Sequence, residues 1–138
     1  MKFSVRVQYG LQAVLELALG YGGGPVQIGD IARSQKIPIR FLEQLMLTLK
    51  RGGLLESTRG LHGGYSLAKR PSEITVLNII EAFEGPLELV SKKMKKLPVL
   101  AEAFAKIQSH VEDDLKDLTL EELTLKHRQK ERAIFYNI

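Results

Sequence analysis

The feature that most constrains this chain is a pair of short amphipathic segments joined by a tight connection. Ile28, Ile31 and Ala32 recur at helical spacing and predict a first helix that ends near Lys36. Pro38 then suits the first turn of a second helix, where its missing N–H costs little. That second helix has one apolar stripe, made of Phe41, Leu42, Leu45, Met46 and Leu49, and is ended by Gly52-Gly53. Its opposite face is polar, so the pair has the pattern of a helix-turn-helix.

A β-hairpin is predicted directly after these two helices. Residues 54–59 and 65–68 are typical of strands, and Gly60, Gly63 and Gly64 lie in the loop between them. Glycine adopts the positive φ values that a tight reversal requires. A hairpin with a glycine-rich, basic tip in this position forms a wing, which predicts a winged helix-turn-helix domain over residues 1–86.

Two further helices complete this predicted domain. Ser4 can cap a first helix that runs to about Gly20, and Thr75 can cap a later helix that Gly85-Pro86 stop. The first helix is expected to bury Val7, Leu11, Val14, Leu15 and Ala18. The predicted fold class is therefore mainly α, with a two-stranded wing.

The C-terminal part of the chain is predicted to mediate dimerisation. Residues 87–97 are rich in lysine and lack an apolar period, which indicates a mobile loop, and Pro98 opens a long helix. Along this helix the apolar residues Leu100, Phe104, Ile107, Val111 and Leu115 recur at near-heptad spacing. One charged helix cannot bury such a seam by itself, so a second copy of the chain is the favoured partner. Packing within its own chain is the alternative.

Residues 98–138 are predicted to end in a short helix and a tail. Thr119-Leu120-Glu121-Glu122 has the pattern of a capping box and starts the short helix. Fraying of the charged stretch 126–132 would let Phe135, Tyr136 and Ile138 extend as a C-terminal tail, and the alternative is that these residues pack as core.

The positive charge of this chain is concentrated in one stretch. The 138 residues carry a formal net charge of +4. Between Arg33 and Arg70 there are eight basic and two acidic residues, a net +6 that leaves −2 for the rest of the chain. A concentrated positive field is typical of a surface that binds a polyanion, and the alternative is a solvated basic face.

The composition excludes several classes of site. Without any cysteine, the chain forms no disulfide, thiolate zinc site or cysteine-ligated iron–sulfur cluster. His62, His110 and His127 fall on separate predicted elements without a partner at ligand spacing, so we expect no metal, no cofactor and no enzymatic activity. The apolar runs are too short to cross a bilayer, which favours a cytoplasmic protein.

The polar face of the second helix of the pair predicts contacts with base edges in the major groove of double-stranded DNA. Arg40 can contact guanine or a phosphate, Gln44 can pair with adenine, and Glu43 can accept from a cytosine amine. For Glu43 the alternative is a salt bridge that positions Arg40. Leu47 can meet a thymine methyl or, alternatively, pack in the core.

The wing supplies a second group of candidate DNA contacts. Arg59, at its entrance, suits the negative potential of a narrow A·T-rich minor groove, and Gly60 follows it at the tip. The remaining candidates are placed to meet phosphates and are Lys50, Arg51, His62 and Tyr65.

Two motifs at this separation resemble those of the Rrf2 family of bacterial winged helix-turn-helix regulators. They are Phe41-Leu42-Glu43-Gln44-Leu45 and Arg59-Gly60-Leu61-His62-Gly63-Gly64-Tyr65, and Glu84-Gly85-Pro86-Leu87 also fits. The resemblance implies a homodimer with a long crossed dimerisation helix that binds palindromic operators. It also implies that Glu43, Gln44 and Arg59 contact DNA.

The chain departs from the family members that sense iron–sulfur status or nitric oxide. Those members carry three cysteines between the Glu-Gly-Pro-Leu motif and the dimerisation helix, where this chain has its lysine-rich loop. Cluster-free members include the repressor of cysteine metabolism, which ends in an aromatic pair and an isoleucine. Phe135-Tyr136-Asn137-Ile138 is similar to that ending, with Asn137 inserted.

This similarity implies a protein partner in addition to DNA. Cysteine synthase captures chains that end in isoleucine, so Phe135, Tyr136 and Ile138 would bind it, and the alternative is that they pack against the partner subunit. We expect a dimeric, DNA-binding transcriptional repressor, of cysteine or sulfur metabolism if the similarity extends that far. The rival functions are a winged-helix protein-interaction module and a DNA-binding regulator with a small-molecule effector near the dimerisation helix.

Overall fold

Helices dominate the computed structural model, which describes residues 2–137. The α-helices are α1 (Val5–Leu19), α2 (Ile28–Gln35), α3 (Ile39–Arg51), α4 (Val76–Glu84), α5 (Pro98–Asp117) and α6 (Leu120–Tyr136). The strands β1 (Leu55–Thr58) and β2 (Gly64–Leu67) pair antiparallel. Short 3-10 turns lie at Pro71–Glu73 and Met94–Lys96. The predicted mainly α, winged helix-turn-helix architecture is confirmed.

Helix α1 lies at the centre of the fold and buries more of its surface than predicted. Its N-cap is Ser4, whose hydroxyl accepts from the backbone N–H of Val7. Leu11 and Leu15 are only partly buried, whereas Ala13 and Leu17 are fully buried. A single stripe was the wrong expectation, because α1 packs against α2, α3, α4, α6 and β2 together.

The contact between α1 and α4 requires a glycine. A Cβ atom at Gly10 would lie 2.3 Å from Cε2 of the Phe83 ring, well inside van der Waals contact. The guanidinium carbon of Arg6 lies 5.4 Å from the centroid of the same ring. The two helices are therefore in close contact at this point.

The turn between α2 and α3 is tight because one residue adopts a left-handed conformation. Lys36 has φ 56° and ψ 45°, which a residue with a side chain adopts at a small cost in energy. The following Ile37 is buried, and its N–H donates to the carbonyl of Ala32 at 3.0 Å. Pro38 is the N-cap of α3, one position before the predicted first turn.

The wing is attached to the helix-turn-helix by backbone pairing that the sequence did not predict. Val26 and Tyr65 form an isolated antiparallel bridge, with each N–H donating to the other's carbonyl at 2.8 Å. The side-chain amide of Gln27 donates to the carbonyl of Leu61 at 3.0 Å. The strand that returns from the wing tip is thus fixed to the residues that precede α2.

The N-terminal and C-terminal halves of the chain are joined by a second isolated bridge. The N–H of Val76 donates to the carbonyl of Leu118, and the N–H of Leu120 donates to the carbonyl of Ile74, both at 2.9 Å. The side chains of Ile74 and Leu120 are fully buried. The first turns of α4 and α6 are consequently held side by side.

The predicted short last helix is wrong, because α6 has 17 residues and includes Phe135 and Tyr136. The charged stretch within it is helical rather than frayed, and pairs such as Glu122–Lys126 lie at i,i+4 spacing, which supports a helix. The side chain of Thr119 accepts from the N–H of Glu122, which is one of the two hydrogen bonds of the predicted capping box. Ile138 lies outside the described residues.

The lysine-rich segment 87–97 contains one short 3-10 turn, Met94–Lys96, rather than continuous loop. Val90 is buried, and the N–H of Leu89 donates to Oε1 of Gln108 on α5 at 2.9 Å. The segment therefore contacts the folded chain at several points, and its mobility stays a prediction.

The bridge between the two halves predicts that Leu120 is important for stability. Leu120→Ala is expected to lower the free energy of unfolding by about 2–5 kcal/mol, because it leaves a cavity at a fully buried position. Leu61→Ala is the matched control, since Leu61 is 82% exposed, and its effect should be below about 0.5 kcal/mol. Urea unfolding at one fixed protein concentration measures both, and equal losses would contradict the assigned role.

Candidate nucleic-acid interface

The outward face of α3 is polar and open to solvent. Arg40, Glu43 and Gln44 are exposed, as are Lys50 and Arg51 near the end of the helix. They lie opposite the buried stripe Leu42, Leu45, Met46 and Leu49 that fixes the helix against the core. The structure therefore places the predicted reading residues on one accessible surface.

Two alternatives raised by the sequence are not seen in the structure. Leu47 exposes 37% of its surface, so it is not part of the buried stripe of α3. Among the ion pairs formed by residues 2–137, none joins Glu43 to Arg40. The side chains of Arg40, Glu43 and Leu47 are thus exposed to solvent.

The wing lies directly beside α3 and is joined to it by a polar contact. Nζ of Lys50 donates to Oγ of Ser57 on β1 at 2.6 Å. Lys50 is therefore turned towards the wing, an orientation that helical spacing alone did not indicate. The contact brings a cationic side chain to the junction of α3 and the wing.

The wing tip is a tight turn in which glycine is required. Gly60 has φ 108°, and the N–H of Gly63 donates to the carbonyl of Gly60 at 3.0 Å. A Cβ at Gly63 would lie 2.0 Å from the carbonyl oxygen of Thr58, and one at Gly64 would lie 2.2 Å from that of Val26. The exposed side chains of Arg59 and His62 are consequently carried by a closely packed backbone.

Tyr65 has a packing role besides the predicted phosphate contact. Its side chain is partly buried against the hydrophobic core, and its backbone pairs with Val26. The residues that sequence reasoning missed are Val26 and Gln27, which hold the wing in place. A single bridge has no periodicity, so only the glycine-rich loop before Val26 indicated an irregular segment there.

Some of the basic residues between Arg33 and Arg70 form ion pairs within the chain, and others do not. Arg33 is paired with Asp30, and Nη2 of Arg70 donates to Oε1 of Glu73 at 3.0 Å. The hydrogen bond from Arg70 lowers the pKa of the Glu73 carboxyl, and the same hydrogen bond raises the pKa of the Arg70 guanidinium. No ion pair of residues 2–137 involves Arg40, Arg51 or Arg59. Lys36 and Lys69 also form none of these ion pairs, and the unpaired arginines of the stretch lie on α3 and at the wing.

Comparison with known sequences identifies the family. The sequence profile of the Rrf2 family, described as an iron-dependent transcriptional regulator, matches residues 3–126. The chain belongs to the Rrf2 family. It is a DNA-binding transcriptional regulator with a winged helix-turn-helix, as the resemblance implied.

Individual Rrf2 proteins are similar to this chain over nearly its whole length. The transcriptional regulator CymR of Bacillus subtilis is 36% identical over 137 residues, covering 99% of each chain. The structure of that protein, the global cysteine regulator of B. subtilis, aligns with a TM-score of 0.78 over 91% of this chain and 98% of its own. The structure of T. potens IscR aligns with the same TM-score of 0.78, at 35% identity over 95% of this chain and 90% of its own.

The iron named in the family description does not fit the residues of this chain. Iron–sulfur clusters are held mainly by cysteine thiolates, and the sequence has no cysteine. In the described part of the chain, no group of three or more His, Asp or Glu side chains is arranged to hold a metal ion. The segment before α5 offers lysines instead. Separately, none of the helices in residues 2–137 is long and apolar enough to cross a membrane.

The packing of the wing tip predicts that Gly63→Ala disrupts DNA binding. The added methyl group overlaps the backbone of Thr58 and Arg59, so the tip must rearrange and carry Arg59 with it. We expect operator affinity to fall about tenfold or more and stability to fall by about 1–3 kcal/mol. Gly20→Ala is the control, because the nearest atom to its new Cβ is 3.8 Å away. Its operator affinity and its stability should not change appreciably. Fluorescence anisotropy with duplex DNA and thermal unfolding test both variants, and unchanged affinity in Gly63→Ala would contradict the prediction.

Proposed function

We propose that this chain acts in the cytoplasm as a homodimeric repressor that binds a palindromic operator. The observation that carries the proposal is the solvent-facing surface of α3 beside the wing, where Arg40, Arg51 and Arg59 lack carboxylate partners among the described ion pairs. Unpaired guanidinium groups on a helix that fits the major groove suit the phosphates and base edges of duplex DNA. The alternative, a basic face that is only solvated, does not account for the wing that lies beside α3.

Each part of this surface has a distinct proposed role. Arg40, Glu43, Gln44 and Leu47 read base edges in the major groove, and Arg59 enters the adjacent minor groove. The contacts to phosphates are assigned to Lys50, Arg51, Gly60, His62 and Tyr65. In this scheme α3 sets the sequence that is recognised and the wing sets the preference for groove shape.

The apolar seam of α5 supports the dimer. In the isolated chain Leu100 is 43% exposed and Ile107 is 48% exposed, and α5 has no fully buried residue. Leu115 packs partly against the core of its own chain, but Phe104 and Val111 are only partly covered. A second copy of α5 would cover this seam, and two reading surfaces related by a twofold axis match a palindrome.

The regulated process is proposed from the relative that is similar over the full length. The solved structure of CymR is that of the global cysteine regulator of B. subtilis. Because 36% identity extends over 137 residues and not only over the DNA-binding domain, we assign this chain to cysteine or sulfur metabolism. Iron has no part in the proposal.

From the DNA-binding surface we expect two substitutions to alter DNA binding in different ways. Arg59→Ala should weaken binding most on operators that are A·T-rich under the wing. It should also reduce the dependence of log K on log salt by about 0.9 for each phosphate that is no longer neutralised. Glu43→Ala should instead change which bases are tolerated, because a carboxylate also rejects edges that offer only acceptors.

Selection from a randomised duplex library, followed by affinity measurements across a salt series, distinguishes these effects. A uniform loss across all operators in both variants would show that the roles are wrong. A wild-type affinity that hardly depends on salt would instead favour the protein-interaction module.

The α5 seam predicts that Ile107→Asp prevents dimerisation. A carboxylate placed in an apolar interface is left without a partner, so monomer or insoluble protein is expected. Ser109→Asp adds the same charge to the opposite, exposed face of α5 and should leave the dimer intact. Light scattering coupled to gel filtration measures the mass, and a well-folded dimer of Ile107→Asp would show that α5 packs elsewhere.

The C-terminus predicts binding to cysteine synthase. Phe135 is 74% exposed and Tyr136 is 83% exposed at the end of α6, so both are available to a partner. Deletion of Asn137-Ile138 should abolish binding to the cysteine synthase of the same organism while dimerisation and DNA affinity persist. A destabilised dimer would show that the tail packs against the partner subunit. Absence of binding by the intact chain at micromolar concentration would contradict the proposal.

A further inference from the structure

A cleft lies where the end of α1, the exit from the wing and the first half of α6 meet. Its volume is about 420 Å³, within the range of small-molecule sites. Arg70 and Ser72 reach it from the turn after β2, and Tyr21 reaches it from the loop after α1. Helix α6 contributes Glu121, Thr124 and Arg128. No sequence motif of the DNA-binding surface includes these residues together.

The two guanidinium groups of this cleft are held in place by contacts within the chain. Nη2 of Arg128 donates to the carbonyl of Leu19 at the end of α1, at 3.1 Å. Nη2 of Arg70 donates to Glu73 at 3.0 Å. A guanidinium has five N–H donors, and among residues 2–137 one hydrogen bond is described for each of these two. The lining thus has two guanidinium groups against one carboxylate, that of Glu121. The remaining N–H donors of the two arginines suit a carboxylate ligand, which arginine binds in bidentate fashion.

An apolar wall adjoins these charges. Tyr21 also lines a neighbouring cavity of about 290 Å³, together with Leu17, Val26, Tyr65 and Leu67. The rest of that lining is Pro25, Ser66 and three glycines, and Tyr21 is 51% exposed, so an apolar group in contact with Tyr21 would be partly shielded from water. A ligand that fits both features has a carboxylate at one end and a compact apolar or aromatic body at the other.

We propose that this cleft binds a small carboxylate between Arg70 and Arg128, with its apolar body against Tyr21. The bound molecule would connect the wing to α6, because Arg70 follows β2 by three residues and Arg128 belongs to the C-terminal half. A ligand that contacts both sides binds most tightly when they have one relative arrangement, so it shifts that arrangement and the DNA affinity with it. This regulatory consequence depends on the proposed function, whereas the binding itself does not.

Benzoate is the probe, and uncharged benzamide is the matched control at equal ionic strength. Titration of ¹⁵N-labelled protein should give saturable changes at the amide signals of Ser72, Thr124 and Arg128 with benzoate only. Arg70→Gln and Arg128→Gln should each weaken binding about tenfold or more, since each removes a charged donor. Lys69→Gln and Arg132→Gln remove neighbouring charges that do not line the cleft and should leave affinity unchanged.

Arg70→Gln is expected to leave the fold intact, because the side chain of Arg70 is 71% exposed and its only described partner is the surface residue Glu73. A loss of benzoate binding in this variant is therefore not explained by misfolding. Equal responses to benzoate and benzamide, or unchanged affinity in both arginine variants, would overturn the site. Operator affinity is then measured with and without saturating benzoate. If benzoate changes the operator affinity and Arg70→Gln abolishes that change, regulation through this cleft is supported. If benzoate leaves the operator affinity unchanged, regulation through this cleft is overturned. Failure to bind any operator would count only against the proposed function, since the titration uses no DNA.

Discussion

Two backbone hydrogen bonds between residues 74–76 and 118–120 fix the C-terminal half of the molecule to the winged helix-turn-helix, together with the packing of α6 on α1. They link the start of α4, which packs on α1 and α3, to the start of α6, which packs on α1. Buried backbone groups must find partners, so this short pairing also allows Ile74 and Leu120 to be fully buried. Arg128 adds a third link by donating to the last carbonyl of α1. The orientation of the C-terminal half relative to the reading surface depends on these contacts.

Much of the fold could be predicted because local signals agreed with one another. Helix α3 has a clear apolar stripe and two terminal glycines, and Thr75 caps α4 through a reciprocal hydrogen-bonding pair with Asn78. The Val26–Tyr65 bridge could not be predicted, because one pair of residues distant in sequence leaves no period. The length of α6 was missed for a different reason. Its charged residues favour fraying when they are considered alone, although charges on an exposed helical face are compatible with order.

The candidate site was predictable in its outline and not in its electrostatics. Helical spacing is enough to place Arg40, Glu43 and Gln44 on the face opposite Leu42 and Leu45. Spacing gives no information about which cations are already paired. The structure shows that Arg33 and Arg70 pair with acidic residues three positions away. Arg40 has Glu43 at the same spacing but does not pair with it, and Arg59 has no partner among the described ion pairs. The orientation of Lys50 towards Ser57 likewise depends on the three-dimensional course of the hairpin.

The pairing of residues 74–76 with 118–120 also has a consequence for biosynthesis. A ribosome adds about 5–20 residues per second, so the partner strand of Ile74 is completed roughly 2–9 seconds after Ile74 itself. During that interval the emerging winged helix-turn-helix exposes the apolar surface that Leu120 later covers. The reading surface therefore reaches its final support only as the last helix leaves the ribosome. A nascent chain that stalls before this point would expose this apolar surface to chaperones and proteases and would not present a stable DNA-binding domain.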